Sequence, residues 1–420
     1  MNARWTAVII LNVILSGCGS AIQKTDVIIE VQEVRQSPYH LLSDLAAATK
    51  AFDEAAQNGT LSTERDAAGR LVADRLATLR SVAGDTSGAI SAFDKRWKGL
   101  EGPPLSTEAL SSLVAVDAIS TIVNEARSRN IVILNEIHHV PLHRAFAMRL
   151  ARELREIGYE YLACETLSES HGLERGFPSR TDGVYSAEPV YGEFLRDALR
   201  LGWKPVAYDD FQPEKSLSQR DFLAWRERKQ AEHLVERIFK NNPNAKVLVF
   251  VGGLHGDKRM NGNAGGVRQM GAHLRELTGT EPLSIDQTTF YEHPDPSMEK
   301  KAYGQLLATL DIGSPSIVKT KTGAYFQFGV PANAVDMQVV HPRYGVTHGR
   351  PAWLATLAGR NPIPVPDALL TDRKPKLIYA YYSNEFIAAP VPIDSVMLRP
   401  DGVVPALMLP PGRYRLEYEE

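Results

Sequence analysis

The chain has 420 residues, 44% of them hydrophobic and 23% charged, the make-up of an ordinary globular protein with room for about two to three domains. A formal net charge of -3 gives no electrostatic reason to expect nucleic acid or an anionic surface as the partner. Its two cysteines, Cys18 and Cys164, are too few for a disulfide framework.

Met1 to Trp5 carries one arginine, and Thr6 to Leu15 is an apolar run about as long as a signal-peptide core and too short to span a bilayer. Leu15-Ser16-Gly17-Cys18, which follows, resembles the lipobox of bacterial lipoproteins, where the peptide is cut before the cysteine and lipid joins that residue. The resemblance implies that residues 1–17 are a signal peptide and that Cys18 is lipidated. Gly19 and Ser20 replace the aspartate that signals inner-membrane retention, so the expected place is the outer membrane, facing the periplasm of the cell envelope.

Past a short polar tether, Val27 to Val34 is a predicted strand. Leu41 to Trp97 is helical in pattern, with Leu42, Leu45, Ala46 and Phe52 marking one amphipathic segment and Leu71, Leu76, Leu79 and Val82 another. Gly99 to Pro104 breaks the chain, so residues 18–104 are expected to be a tether and a helical N-terminal element. Ser106 to Arg129 reads as one further helix.

Strands and helices then alternate over residues 105–290. The predicted strands are Ile131 to Leu134, Tyr159 to Cys164, Lys204 to Tyr208, Lys246 to Val251 and Pro282 to Ile285. Between them lie helical patterns at Leu142 to Ile157, Tyr191 to Leu201, Arg220 to Lys240 and Val267 to Leu277. This is the signature of an α/β fold, a mostly parallel sheet flanked by helices. Residues 291–420 are richer in proline and glycine and read as a β-rich C-terminal region. Its expected strands are Ser316 to Thr320, Ala324 to Phe328, Met337 to Val340 and Leu377 to Tyr382, and Val404 to Leu416 reads as a closing hairpin.

Ionisable groups gather at the carboxyl ends of the predicted strands, where a parallel sheet opens its ligand crevice. Glu136 and His138 follow the first, two residues apart, so in extended backbone they point the same way. His139 points to the other side. Glu165 closes the second strand, Asp209 and Asp210 the third, and Gly252-Gly253-Leu254-His255 the fourth. Singly, each has a plain explanation: a helix cap, a solvated loop end or a satisfied buried histidine. Glutamate with histidine is also the pairing used for general base catalysis, or for two ligands of a metal such as Zn or Mn. Arg226, on the long charged helix, is placed to hold a substrate carboxylate, to orient Glu165, or simply to face solvent, the commoner role of such a helix face.

At these residues the chain resembles the superfamily of erythromycin esterase-like proteins, ChaN-type haem-uptake lipoproteins and the Tiki and TraB group. The match is Asn135-Glu136-Ile137-His138, then Glu165, then Gly252-Gly253-Leu254-His255, with Arg226-Glu227 similar to an arginine-bearing helix of that family. Asn135 departs from the usual glycine. The resemblance implies a hydrolase-like site in which Glu136, His138, Glu165 and His255 prepare a water, or a metal-bound hydroxide, for ester or amide cleavage of a small-molecule substrate. His138 or His255 would be the base, and Arg226, Asp209 and His139 would bind the substrate. If a metal is present, His138, His255, Glu136 and Glu165 are its expected ligands. The ChaN branch implies a different class, a non-catalytic haem- or iron-binding lipoprotein, with Tyr208 or a histidine as axial ligand. A third possibility is a degenerate member that only binds a cell-envelope partner.

Overall fold

The computed structural model describes residues 7–11, 27–61, 67–97, 102–213, 216–262, 266–372, 374–400 and 402–420. Cys18 and its flanks lie outside them. The chain opens with strands β1 (Ala7–Leu11) and β2 (Val27–Gln36) and helices α1 (Leu41–Gln57), α2 (Ala67–Val82) and α3 (Thr86–Asp94). The third helix is capped by the Asp85 carboxylate, which accepts the Gly88 N–H.

Where one helix is expected over residues 106–129, a short helix α4 (Thr107–Ser111) gives way to strand β3 (Leu113–Asp117) and only then to helix α5 (Ala118–Ala126). The reason is local: Val114 and Val116 are β-branched and lie within an available antiparallel edge, and Asp117 caps the new helix by accepting the Ser120 N–H. From there the alternation runs β4 (Ile131–Glu136), α6 (Pro141–Glu156), β5 (Tyr161–Cys164), α7 (Pro189–Arg200), β6 (Lys204–Ala207), α8 (Gln219–Leu234), β7 (Val247–Gly252), α9 (Met270–Thr278), β8 (Leu283–Phe290). A π-helical turn at Val235–Phe239 prolongs α8. Helix α10 (Lys301–Thr309) and strands β9 (Ser316–Thr320) and β10 (Met337–Val340) follow.

These strands form an eight-stranded sheet of order β3-β9-β10-β8-β4-β7-β5-β6, parallel from β10 to β6 and antiparallel at the β9 and β3 edge. Helices cover both faces, which is why β4 from Ile131 to Leu134 and β7 from Val247 to Val251 are apolar, and both strands are wholly buried. Val132 and Leu134 pack with α5, α6 and α7, whereas Ile131 and Ile133 pack with α8 and α9. The chain visits β4, β5 and β6 and then returns to place β7 between β4 and β5, so Glu136 comes opposite Gly252 in register. That return makes the crevice.

The remainder is β-rich: β11 (Val346–Thr347), β12 (Arg350–Pro351), helix α11 (Trp353–Thr356), β13 (Asn361–Ile363), β14 (Lys376–Tyr382), β15 (Asp394–Leu398), β16 (Leu407–Leu409) and β17 (Gly412–Glu419). Residues 324–328 form no strand beyond one bridge from Tyr325 to Lys319. Nor do residues 404–416 close a hairpin. β16 pairs with β13, while β17 lies between β14 and β2, parallel to the latter. The resulting sheet, β1-β2-β17-β14-β15, joins the two ends of the chain, with α1 to α3 packed on one face through Leu45, Leu76 and Tyr379. Among the described residues no helix is long and apolar enough to cross a membrane.

Candidate active site

Strand β4 delivers Glu136 at its last position, and the chain turns so that His138 lies back over it. His138 Nδ1 is 2.8 Å from Glu136 Oε1. The same carboxylate takes two bonds from Arg144 on α6, Nε to Oε2 at 2.7 Å and Nη2 to Oε1 at 3.0 Å. Arg144 is fully buried and also donates to Glu188 at 3.0 Å and to the His138 carbonyl at 2.6 Å. In a neutral ring, a carboxylate bonded at Nδ1 places the proton there and leaves the Nε2 lone pair outward. The His138 side chain keeps 28% of its surface exposed, whereas Glu136 keeps 4%.

A second dyad faces the first. Glu227, on the buried side of α8, lies 2.5 Å from His255 Nδ1, and its other oxygen accepts the Met270 N–H at 2.6 Å. Between the dyads stands Glu165, at the end of β5. Its Oε1 is 3.3 Å from His255 Nε2 and 2.5 Å from Arg226 Nη2, and its Oε2 accepts the Gly252 N–H and lies 4.0 Å from His138 Nε2. Arg226 also forks onto Asp209, with Nε 2.9 Å from Oδ1 and Nη2 2.5 Å from Oδ2. Gly252 is required at this crossing. A Cβ there would come 2.5 Å from the His138 ring and 2.9 Å from Glu165 Oε2. Gly253, at φ +52°, then turns the chain toward His255.

Burial alone would raise the Glu136 carboxyl, but the Arg144 charge and bonds from His138 and Arg144 outweigh it and hold it below the ordinary range. Burial likewise opposes ionisation of Glu165. The charges of His255, His138 and Arg226 outweigh that and hold its carboxyl well down. For His255, burial disfavours the imidazolium, yet Glu165 and Glu227 push its pKa up to about 10. His255 is therefore held in its protonated form at neutral pH. Asp209 is raised by burial, which the bonds and charge of Arg226 only partly offset.

A cavity of about 710 Å³ opens beside Glu165, lined by Thr166, Ser168, Asp209, Asp210 and Phe211 among others. His138 and His255 are not among its lining residues, and neither is His139. Its ring is buried against Phe93 of α3, centroids 3.9 Å apart, and burial holds its pKa well down. It is a packing residue because it alternates to the core side of the turn, opposite His138. Tyr208 is wholly buried and donates its hydroxyl to the Phe250 carbonyl at 3.3 Å, so it is no free axial ligand. Cys164 is buried too, its thiol pushed up to about 12 by burial.

The expected metal set does not fit. Among the described residues no group of three or more His, Cys, Asp or Glu side chains could hold a metal ion. Arginines supply the positive charge instead: Arg144 holds Glu136 and Arg226 holds Glu165. Arg144, Glu188 and Tyr185 belong to the site without any motif to mark them. Tyr185 stacks on the His138 ring at 4.3 Å and 20°. The one available signal was the spacing of Arg144, eight residues after Glu136, on the helix that follows it.

Fold and site together define an α/β protein with two Glu-His dyads meeting at the carboxyl edge of a largely parallel sheet. No family model and no curated protein matches the chain. Among solved structures it is similar to the type III effector HopBA1, 14% identical over 55% of this chain and 95% of that one, with a TM-score of 0.33. It is also similar to ChaN of Campylobacter jejuni, a structure with cofacial haem, 12% identical over 47% and 97% with a TM-score of 0.29. RRSP, a MARTX toxin effector domain from Vibrio vulnificus CMCP6, is 16% identical over 57% and 49%, with a TM-score of 0.29.

Proposed function

We propose that the chain is a hydrolase that activates water without a metal, with His138 as general base and His255 as general acid. The observation that carries this reading is the pair of opposed dyads. Glu136 leaves the Nε2 lone pair of His138 turned outward, while Glu227 and Glu165 keep His255 protonated 3.3 Å from the same central carboxylate. The 4.0 Å from His138 Nε2 to Glu165 Oε2 is too long for a direct hydrogen bond, so the Nε2 lone pair is not taken up by that carboxylate.

In the reaction, water oxygen bonds to the carbonyl carbon of an ester or amide as its proton passes to His138 Nε2. The carbon–oxygen or carbon–nitrogen bond then breaks, and the leaving atom takes the proton of His255 Nε2. Arg226, held by Asp209 and Glu165, supplies positive charge beside the developing oxyanion. The polar wall of the cavity suits a hydroxylated or otherwise polar small molecule.

A panel of esters and amides, run on wild type, His138→Ala and His255→Ala, tests the reading. Hydrolysis by wild type should fall at least about a hundredfold in each variant, the order expected for a lost general acid or base. Equal hydrolysis by all three would sink it. A haemin titration followed by visible absorption is the companion measurement: a stable Soret shift without hydrolysis would favour a haem-binding protein. We further propose that residues 1–17, which include β1, are removed as a signal peptide, leaving β2 as the edge of its sheet, and that Cys18 then carries lipid and anchors the chain in the outer membrane, which the Leu15 to Cys18 motif supports. Labelled palmitate should enter wild type and not Cys18→Ser.

A further inference from the structure

The segment 166–188, between β5 and α7, crosses from the active site to the sheet built by the chain's two ends, and both of its attachments are made by specific side chains. At the far end Arg180 enters that sheet. Its N–H donates to the Ala389 carbonyl at 2.9 Å, Nε to the Pro390 carbonyl at 3.0 Å and Nη2 to the Tyr381 hydroxyl at 3.1 Å. Its guanidinium lies 4.0 Å from the Tyr39 ring and 5.4 Å from that of Tyr379. No carboxylate pairs with it among the described residues, so rings and carbonyls from both ends of the chain hold it.

The segment between is stiff. Asp182, 3% exposed, accepts the Ser179 N–H at 2.6 Å and the Gly172 N–H at 3.0 Å and pairs with Arg175. The Val184 N–H donates to the Thr166 carbonyl at 3.0 Å, closing the loop on itself. At the near end Tyr185 stacks on His138, and Glu188 joins the guanidinium of Arg144 that also holds Glu136. Thr181, Gly183 and Val184 meanwhile form part of the cavity wall.

We infer that the sheet built from the two chain ends positions the His138 ring and the substrate wall, acting through Arg180 and Tyr185 as positioning residues. The significance of that role rests on His138 being the base. The physical reason is rotational freedom. A ring bonded only at Nδ1 can still swing about that bond, and a flat partner at 4.3 Å removes the swing at the cost of fixing the partner. The Val184 N–H and Asp182 close the loop on itself, and Arg180, five residues before Tyr185, ties that closed loop to the far sheet.

The test is carbon–proton NMR of the full chain with labelled histidine, the His138 resonance being assigned by its loss in His138→Gln. Stacking on Tyr185 should shift the His138 Cε1 proton by ring current. The shift should vanish in Tyr185→Leu, persist in Tyr185→Phe, vanish in Arg180→Ala, and be partly restored in Arg180→Lys. Tyr381→Phe, which removes one hydroxyl, should move it partway and decides the matter if Arg180→Ala does not fold. An unmoved resonance in folded Arg180→Ala or in Tyr381→Phe, with Tyr185→Leu moved, would overturn the clamp. No movement in Tyr185→Leu would overturn the stacking role as well. Hydrolysis of the best ester or amide, measured in the same variants, separates the two ideas. A shift pattern as expected with no hydrolysis by wild type leaves the clamp standing and removes the enzyme. Hydrolysis by wild type and folded Arg180→Ala at equal kcat, with the resonance unmoved, does the reverse.

Discussion

His255 Nε2 stands 3.3 Å from Glu165 Oε1, and that carboxylate, with Glu227 behind the ring, keeps the imidazole charged far above its usual range. The pair has a stability signature. A group whose pKa is raised on folding contributes fully below its unfolded value, about 6.5, and the contribution is lost as pH rises toward about 10. Wild type should therefore lose up to about 1.4 kcal/mol per pH unit across that window relative to His255→Gln. Urea unfolding of both at several pH values between neutral and alkaline checks this, and parallel curves would contradict the assignment.

Glu165 behaves in the opposite sense. Its pKa is depressed on folding, so its contribution is present above the ordinary glutamate value and is lost as pH falls through the depressed one. In urea unfolding at several pH values, Glu165→Gln should flatten the acid limb of the stability curve and narrow the alkaline window, because Glu227 alone then raises His255.

Arg144 is expected to matter for folding as much as for chemistry. Arg144→Met leaves Glu136 and Glu188 buried without their shared cation, a change of the kind that costs about 3–5 kcal/mol. Arg144→Met combined with Glu136→Gln and Glu188→Gln should recover much of that loss. Denaturant midpoints of the single and triple variants give the answer, and no recovery would mean that packing, not charge, sets the cost.

Gly252→Ala is the smallest change that should disable the site. The added methyl meets the His138 ring at 2.5 Å and must displace it or Glu165. A displacement near 1 Å costs on the order of a hundredfold in rate. Overpacking should cost about 1–3 kcal/mol in stability, so the protein should still fold. Hydrolysis close to wild type would show that the ring has room to spare.

Removal of residues 412–420 deletes β17, which lies between β2 and β14 and so joins both ends of the chain. The truncated chain should lose the cooperative melting of the wild type, and Arg180 should lose the seat formed by Tyr39 and Tyr379. Circular dichroism during heating reads the first effect and limited proteolysis within residues 166–188 the second.

Much of the central sheet was legible in the residues themselves. Strands buried on both faces must be apolar throughout, so Ile131 to Leu134 and Val247 to Val251 announce themselves, and their carboxyl ends mark where Glu136, Glu165 and His255 gather. Short segments whose partners lie far away in the chain were not legible. Leu113–Asp117 is a strand because Ser316–Thr320 lies beside it, and Gly412–Glu419 pairs with Lys376–Tyr382 and Val27–Gln36 in preference to its neighbour in sequence.

The residue order alone determined the alternating pattern, the buried strands and the list of groups able to do acid-base work. Only the tertiary structure decided which of them meet and in what state of charge. Local periodicity is a property of neighbouring residues, whereas the proton on His255, the grip of Arg144 on Glu136 and the seat of Arg180 depend on distances between segments that the chain separates widely. Electrostatic and hydrogen-bond energies fall steeply with those distances, so they take their values only once the chain has closed on itself.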